Sequence, residues 1–318
     1  MAKVLITGAS GFVGNNVARK LLGLGHSVNL ILREQHADWR LRDVYDDVVV
    51  HLVDLRDSDR LIRAVKSVGP EWVFHLAAHG AYSTQDNLKQ ILETNVIGTA
   101  NLVHACLQTG TEVFVNTGAS SEYGFKDHAP AEVEPLEPNS YYAVAKASAT
   151  MLCSYIARSR RVRIPTLRLY SVYGPYEEPT RLMPTLILQG MGNALPPLVH
   201  PEIARDFVYV DDVVEAYILA ATVQDQDPAA IYNVGTGIQT TIQEVIAVAR
   251  RQLNITVEPE WASMKDRIWD TGTWLSDSRH IQQSLGWTPQ YSFEQGFAKM
   301  VEWFRANPAV MEAFRLSI

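Results

Sequence analysis

Short apolar runs and helical spacings alternate along the first half of the chain. Lys3–Thr7 (KVLIT) is an apolar run closed at once by a glycine-rich turn. Residues 12–24 then set Phe12, Val13, Val17, Leu21, Leu22 and Leu24 at helical spacing. Ser27–Leu32 predicts a second strand and 48–53 a third. Leu61, Ile62, Val65 and Val68 share one helix face that Gly69-Pro70 ends. A fourth strand is expected over 72–76, a long helix over 87–108, a fifth strand over 112–115, a helix from near Tyr141 and a sixth strand over 163–169. Such alternation calls for right-handed crossovers and a parallel sheet covered on both faces.

The pattern breaks after Gly174-Pro175. Prolines 175, 179, 184, 196, 197 and 201 then divide the chain into loops. Sheet-like segments return at 207–210 and 231–234, and amphipathic helices end the chain. The expected architecture is α/β: a Rossmann-like doubly wound parallel sheet over 1–174, with return segments near 206–235. A smaller C-terminal substrate lobe, mainly 175–318, is expected over the carboxyl ends of the strands, where open α/β sheets bind ligands.

Composition narrows the function. With 318 residues, 47% hydrophobic and 20% charged, the chain can bury a large core and is not expected to be disordered. Its net charge is −7 and no basic stripe appears, so no nucleic-acid partner is expected; the run 158–163 reads as a solvated helix end. Cys106 and Cys153 fall inside apolar helical patterns, as buried thiols in a reducing compartment do. The nine histidines show no ligand spacing, so no metal is expected. No apolar run approaches the roughly 18 residues that span a bilayer, so no membrane partner is expected. The first strand starts almost at Met1, which leaves no room for a leader; a cytoplasmic location is the expectation.

Gly8, Gly11 and Gly14 lie between the first strand and first helix. Gly8 permits the tight turn, Gly11 lets backbone approach a pyrophosphate, and Gly14 lets helix and strand pack closely. Phe12 and Val13 add free N–H groups at the helix start. In this strand–turn–helix context the triplet predicts dinucleotide binding. Leu32 stands where NAD sites usually carry an acid, and Arg33 follows it. An arginine there pairs with the 2′-phosphate of NADP, so NADP is preferred over NAD; alternatively Arg33 is solvated and Glu34 reaches the ribose. Asp54, with Leu55 beside it, is placed to meet the adenine or to cap a turn. Leu76, Ala77 and Ala78 supply a narrow backbone passage or ordinary packing.

Tyr142 and Lys146 stand at i and i+4, on one helix face. The ammonium and an oxidised nicotinamide would together lower a phenol that ordinarily titrates near 10. Tyr142 could then exchange a proton with a hydroxyl or a ketone near neutral pH.

With these features in place the chain resembles the extended short-chain dehydrogenase/reductases, in their nucleotide-sugar epimerase, dehydratase and ketoreductase group. GASGFVG (8–14), VDLRD (53–57), HLAA (75–78), NVIGT (95–99), EYG (122–124), YYAVAK (141–146), RLYSVYGP (168–175), RDFVYVDD (205–212), NVGTG (233–237) and LGWTP (285–289) carry the likeness over nearly the whole chain. It implies that Tyr142 and Lys146 are catalytic and also touch the cofactor, and that Asn95 backs the active site. It also implies a hydroxyl after the fifth strand. The usual position falls on Ala119, which departs from the pattern; Ser120 is the first choice, with Ser121 and Thr117 behind it. Ser121, Glu122, Ser171, Arg205 and Arg267 are implied on the substrate side, the two arginines against phosphate or in structural ion pairs. Ser171 stands where the family more often has Asn. Trp261, Trp269 and Trp274 could stack a base, whereas Trp287 reads as packing. The implied partner is a nucleoside-diphosphate sugar, and a homodimer is expected through helices near 87–108 and 141–158. Net C4 keto reduction with NADPH is expected first, 4-epimerisation with retained NAD next and 4,6-dehydration third. A non-catalytic dinucleotide sensor is the rival outside enzymes, and a family enzyme acting on a small alcohol is a further alternative.

Overall fold

In β1 (Lys3–Thr7), Val4 and Ile6 enter one core while Leu5 enters another. Both faces of this strand are buried, as an unbroken apolar run requires. The computed structural model describes residues 1–82, 84–224, 227–264 and 271–315. After β1 come β2 (Ser27–Leu32), β3 (Val49–Leu52), β4 (Trp72–His75), β5 (Val113–Ala119) and β6 (Thr166–Leu169). Then follow β7 (Ser171–Tyr173), β8 (Ala204–Arg205), β9 (Phe207–Tyr209), β10 (Ile231–Val234) and β11 (Thr240–Thr241). Seven strands form one sheet in the order β10-β6-β5-β4-β1-β2-β3, all parallel. The order reverses between β1 and β4, and this places the ligand crevice at their carboxyl ends.

α1 (Phe12–Gly23) follows β1, and α2 (Ser58–Val68) follows β3. α3 (Leu88–Leu92) and α4 (Gly98–Cys106) follow β4, and α5 (Tyr141–Arg160) precedes β6. Later come α6 (Leu182–Gly190), α7 (Val210–Thr222), α8 (Ile242–Leu253), α9 (Arg279–Leu285), α10 (Phe293–Ala306) and α11 (Pro308–Arg315). Val17 and Leu21 of α1, Val213 and Tyr217 of α7 and Ile281 of α9 cover one sheet face. Leu61 and Val65 of α2, Leu102 of α4 and Cys153 of α5 cover the other. Both cysteines are free and buried. A separate core joins Met183 and Ile187 of α6, Val245 of α8 and Phe297 and Phe304 of α10. Among the described residues, no helix is long and apolar enough to cross a membrane.

Several boundaries differ from expectation. The helix expected over 87–108 contains a π-helical turn, Glu93–Ile97, between α3 and α4. β5 runs four residues beyond the expected end, because Asn116, Thr117 and Gly118 are paired by β6 despite being polar or small. β6 starts at Thr166, since Pro165 interrupts the ladder and leaves Arg163 in an isolated bridge to Val113. The strand expected over 207–210 turns into α7 at Val210. That helix is buried on most sides, including Val210, Val213, Val214, Ala216 and Tyr217, so no clean amphipathic period marks it.

Candidate active site

Gly8 adopts φ +77°, and a Cβ there would come within 2.5 Å of Ala77 N and Leu76 C. A Cβ at Gly14 would stand 2.3 Å from Gly8 O. Both positions therefore exclude any side chain, and the loop is pressed between β4 and α1. Gly11 caps α1 without a side-chain acceptor, and no acid stands in the first turn. The amides of Phe12, Val13 and Gly14 thus begin a 12-residue helix with no built-in anion. This cradle fits a dinucleotide pyrophosphate.

A polar relay behind it holds Ala77 and Asn95. Ala77 N–H donates to Thr7 Oγ1 (3.3 Å), which lies 2.7 Å from His75 Nδ1. His75 Nε2 lies 2.8 Å from Thr99 Oγ1, and that hydroxyl donates to Asn95 O at 2.6 Å. A hydroxyl has one proton, so Thr99 accepts from His75 and the imidazole carries its hydrogen on Nε2. Asn95, in the π-helical turn, accepts from His79 N–H (2.8 Å) and donates to His79 O (2.7 Å). π-Turns of this kind recur at functional sites, and here one aims a side chain at the loop after β4.

Burial, helped by the charge of Lys146, lowers the His75 imidazole to about 3. The unfolded residue titrates near 6.5, so between those values only the unfolded chain binds the proton. Its stabilising contribution is complete above pH 6.5 and is lost as pH falls through that window, at about 1.4 kcal/mol per unit. Urea midpoints taken from about pH 7.5 down to about pH 5 should fall accordingly. His75→Gln should flatten the decline; parallel slopes in the two proteins would assign it to other groups.

Tyr142 and Lys146 lie in the first turns of α5, which Ser140 starts by accepting from Ala143 N–H. Lys146 is only 4% exposed. Burial lowers its ammonium, opposed by the Glu122 carboxylate. Burial pushes the Tyr142 phenol up to about 12, Glu122 adding to the rise and Arg181 opposing it. The expected lowering of the phenol by Lys146 is therefore not achieved by the chain's own charges, because desolvation outweighs them.

β5 ends at Ala119, and Ser120–Tyr123 form one 3₁₀ turn. Ser120 is 8% exposed, whereas Ser121 Oγ is sealed from solvent and unpaired. Thr117 Oγ1 is engaged with Tyr217 OH at 2.6 Å. Glu122 requires a correction. Its side chain is fully buried, accepting from Arg168 Nε (2.9 Å), Thr150 Oγ1 (3.1 Å) and Ala119 N–H (2.9 Å). It is an internal counter-ion rather than a substrate-facing group, since a buried guanidinium demands one.

The remaining expected residues are less concentrated. Asp54 takes a bidentate bond from Arg56 (2.9 and 2.8 Å), so its carboxylate is already engaged. Leu55 is buried, its carbonyl accepting from Asn101. Arg33 is exposed, and Glu34 pairs with Arg60 at 3.5 Å instead of facing the loop alone. Ser171 N–H donates to Asp206 O (3.0 Å) at the start of β7. Arg205 donates to Ala204 O (2.7 Å) and lies over Trp274 at 5.5 Å. Arg267 and Trp269 lie outside the described residues. Trp287 is packed, donating to Asp212 O at 2.8 Å, as its motif implied. Arg40, Tyr82, Glu177 and Arg181 escaped the sequence reading, although Arg40 donates to Ser10 O of the glycine loop and Arg181, over the Tyr82 ring, acts on the Tyr142 phenol. They come from loops without periodicity, and only the acidic pair after YGP hints at them.

Comparison with known proteins bears on this geometry. The sequence profile of the NAD dependent epimerase/dehydratase family matches residues 4–235. The chain is 28% identical over 320 residues to the UDP-glucose 4-epimerase of Mycolicibacterium smegmatis, covering 95% of this chain and 98% of that one. It is 29% identical over 341 residues to dTDP-glucose 4,6-dehydratase 1 of Escherichia coli, covering 96% and 93%. A solved Thermus thermophilus UDP-glucose 4-epimerase, in complex with NAD, superposes with a TM-score of 0.84 at 28% identity, covering 95% and 98%.

Proposed function

The chain belongs to the NAD dependent epimerase/dehydratase family, within the extended short-chain dehydrogenase/reductases, and from that premise we propose that it moves a hydride reversibly at C4 of a nucleoside-diphosphate hexose. The observation that carries this reading is the pairing of Tyr142 and Lys146 on α5 with the uncapped glycine cradle at the sheet's switch point. Residues 1–174, with the return near 206–235, would hold the dinucleotide, and 175–318 the sugar nucleotide. Gly8, Gly11, Phe12, Val13 and Gly14 would hold the pyrophosphate, and Leu76, Ala77 and Ala78 would line its path. When bound, the nicotinamide supplies the hydride acceptor and donor. Its positive charge in the oxidised form would also lower the buried Tyr142 phenol.

Tyr142 takes the C4 hydroxyl proton as that carbon is oxidised and returns one to the resulting ketone. Lys146 holds the nicotinamide ribose and favours the phenolate, and Ser120 steadies the developing charge on oxygen. Dehydration would need a carboxyl free to move a proton beside the sugar, and Glu122 is locked to Arg168. Likeness to 4-epimerases therefore puts 4-epimerisation with retained NAD first. One observation favours the second reading, net 4-keto reduction with NADPH: Arg33 is exposed beside the end of β2, where a 2′-phosphate would lie. Exposed Ile97, Val144, Met151 and Tyr155 on or beside α4 and α5 suit the proposed homodimer. The buried, unpaired cysteines suit the cytoplasm.

The test is to denature purified protein and weigh the released dinucleotide, then to offer UDP-glucose without added cofactor. Bound NAD with conversion to the 4-epimer supports the first reading. An empty site that prefers NADPH and reduces a 4-keto sugar nucleotide supports the second. A protein that neither carries nor binds a dinucleotide would overturn both.

A further inference from the structure

Glu177 has no part in the chemistry described so far, yet it is 9% exposed and its Oε2 is sealed without a hydrogen-bond partner. An unpaired buried carboxyl oxygen is costly and calls for a reason. Burial pushes this carboxyl up to about 8, against the pull of Arg181 and Arg40.

The neighbours of Glu177 bind it to two walls of the dinucleotide cradle. On one side Asn16 of α1 donates to Pro175 O at 3.1 Å. Arg40, 4% exposed, donates to Tyr176 O (2.8 Å), Glu178 Oε2 (3.0 Å) and Ser10 O (3.2 Å) of the glycine loop. Segment 175–178 is thus fastened to the phosphate turn. On the other side Arg181 donates to Ala81 O (3.1 Å) and lies 4.8 Å over the Tyr82 ring. That is the loop running from Ala77-Ala78 past Gly80, whose Cβ would stand 3.5 Å from Tyr142 Cβ.

We propose that Glu177 is a cofactor-binding residue whose sealed, unpaired Oε2 turns to hydrogen-bond the pyrophosphate–nicotinamide-ribose half of the dinucleotide, with Arg40 and Arg181 holding its segment in place. The proposal rests on the dinucleotide reading above. The carboxyl acts there as a neutral acid, donating to a phosphate or ribose oxygen, because both burial and phosphate charge disfavour the carboxylate. The adenosine half would lie beyond its reach, toward the carboxyl end of β2.

NADH and AMP are titrated by calorimetry against wild type, Glu177→Gln and Glu177→Ala, each freed of copurified dinucleotide. Glu177→Ala should weaken NADH by about tenfold and leave AMP within about twofold. Glu177→Gln, whose amide still donates, should stay within about threefold of wild type for NADH. Should the alanine protein fail to fold, the near-isosteric Glu177→Met takes its place with the same expectation. Unchanged NADH binding in the apolar variant overturns the proposal. So does equal weakening of NADH and AMP, which marks a displaced glycine loop. A glutamine variant as weak as alanine also overturns it, since the carboxylate charge would then be what matters. Wild type that binds neither NADH nor AMP removes the dinucleotide reading itself, a result distinct from these three.

Discussion

Replacing Tyr142 by Phe should lower turnover of a nucleotide-sugar substrate by about 10²–10⁴-fold, the usual contribution of a placed general acid–base. The change deletes one oxygen and keeps the ring, whose Cβ faces Gly80 on the loop after β4. Binding of NADH should stay within about threefold, because the glycine cradle is untouched. Loss confined to kcat would mark an interaction made at the reacting oxygen. More than a tenth of wild-type turnover would remove Tyr142 from the proton step. The weak acidity of this phenol in the chain alone sharpens the expectation. With the phenol pushed up to about 12 by burial, its ionisation needs the positive charge of a bound cofactor, so turnover should rise with pH as the phenol so lowered loses its proton.

Arg168→Leu should destabilise the fold by about 3–5 kcal/mol, the cost of stranding a buried charge. Arg168 is nearly inaccessible, donating to Glu122 (2.9 Å) and to Tyr123 OH (2.7 Å) while lying 4.6 Å over the Tyr123 ring. Gly118 makes room for the pair: a Cβ there would meet Glu122 Oε1 at 2.8 Å and Arg168 Cγ at 2.9 Å. Without the guanidinium, Glu122 would keep only Thr150 and the Ala119 amide. Urea unfolding of the single variant and of Arg168→Leu with Glu122→Leu is the measurement. The double variant should recover part of the loss, since apolar pairs of similar volume often replace buried ion pairs at little cost. A single variant within about 1 kcal/mol of wild type would mean that Glu122 is neutral or free, and would return it to the candidates for substrate chemistry.

These two residues differ in how far they could be read from the chain. Tyr142 and Lys146 announce themselves because i and i+4 on a helix are neighbours whatever the rest of the fold does. For Glu122 the family likeness implies a substrate contact, because its motif sits beside the active site. Its partner lies 46 residues away on β6, and only the sheet brings them together. The same holds for Arg40, which reaches Tyr176 across 136 residues, and for Asn16, which reaches Pro175 across 159.

By itself the sequence determined the alternating strands and helices, the glycine turn and the tyrosine–lysine pair. Each is written in spacings of a few residues, where backbone geometry and the need to bury apolar side chains leave little choice. The tertiary structure alone decided which polar groups are sealed and which stay open. It enclosed Glu122 and Ser121 Oγ, occupied Thr117 with Tyr217 and sealed Glu177 Oε2 without a partner near Arg40 and Arg181. The physical reason is that a carboxyl or hydroxyl takes its role from desolvation and from partners distant in the chain, and neither is encoded in its local spacing.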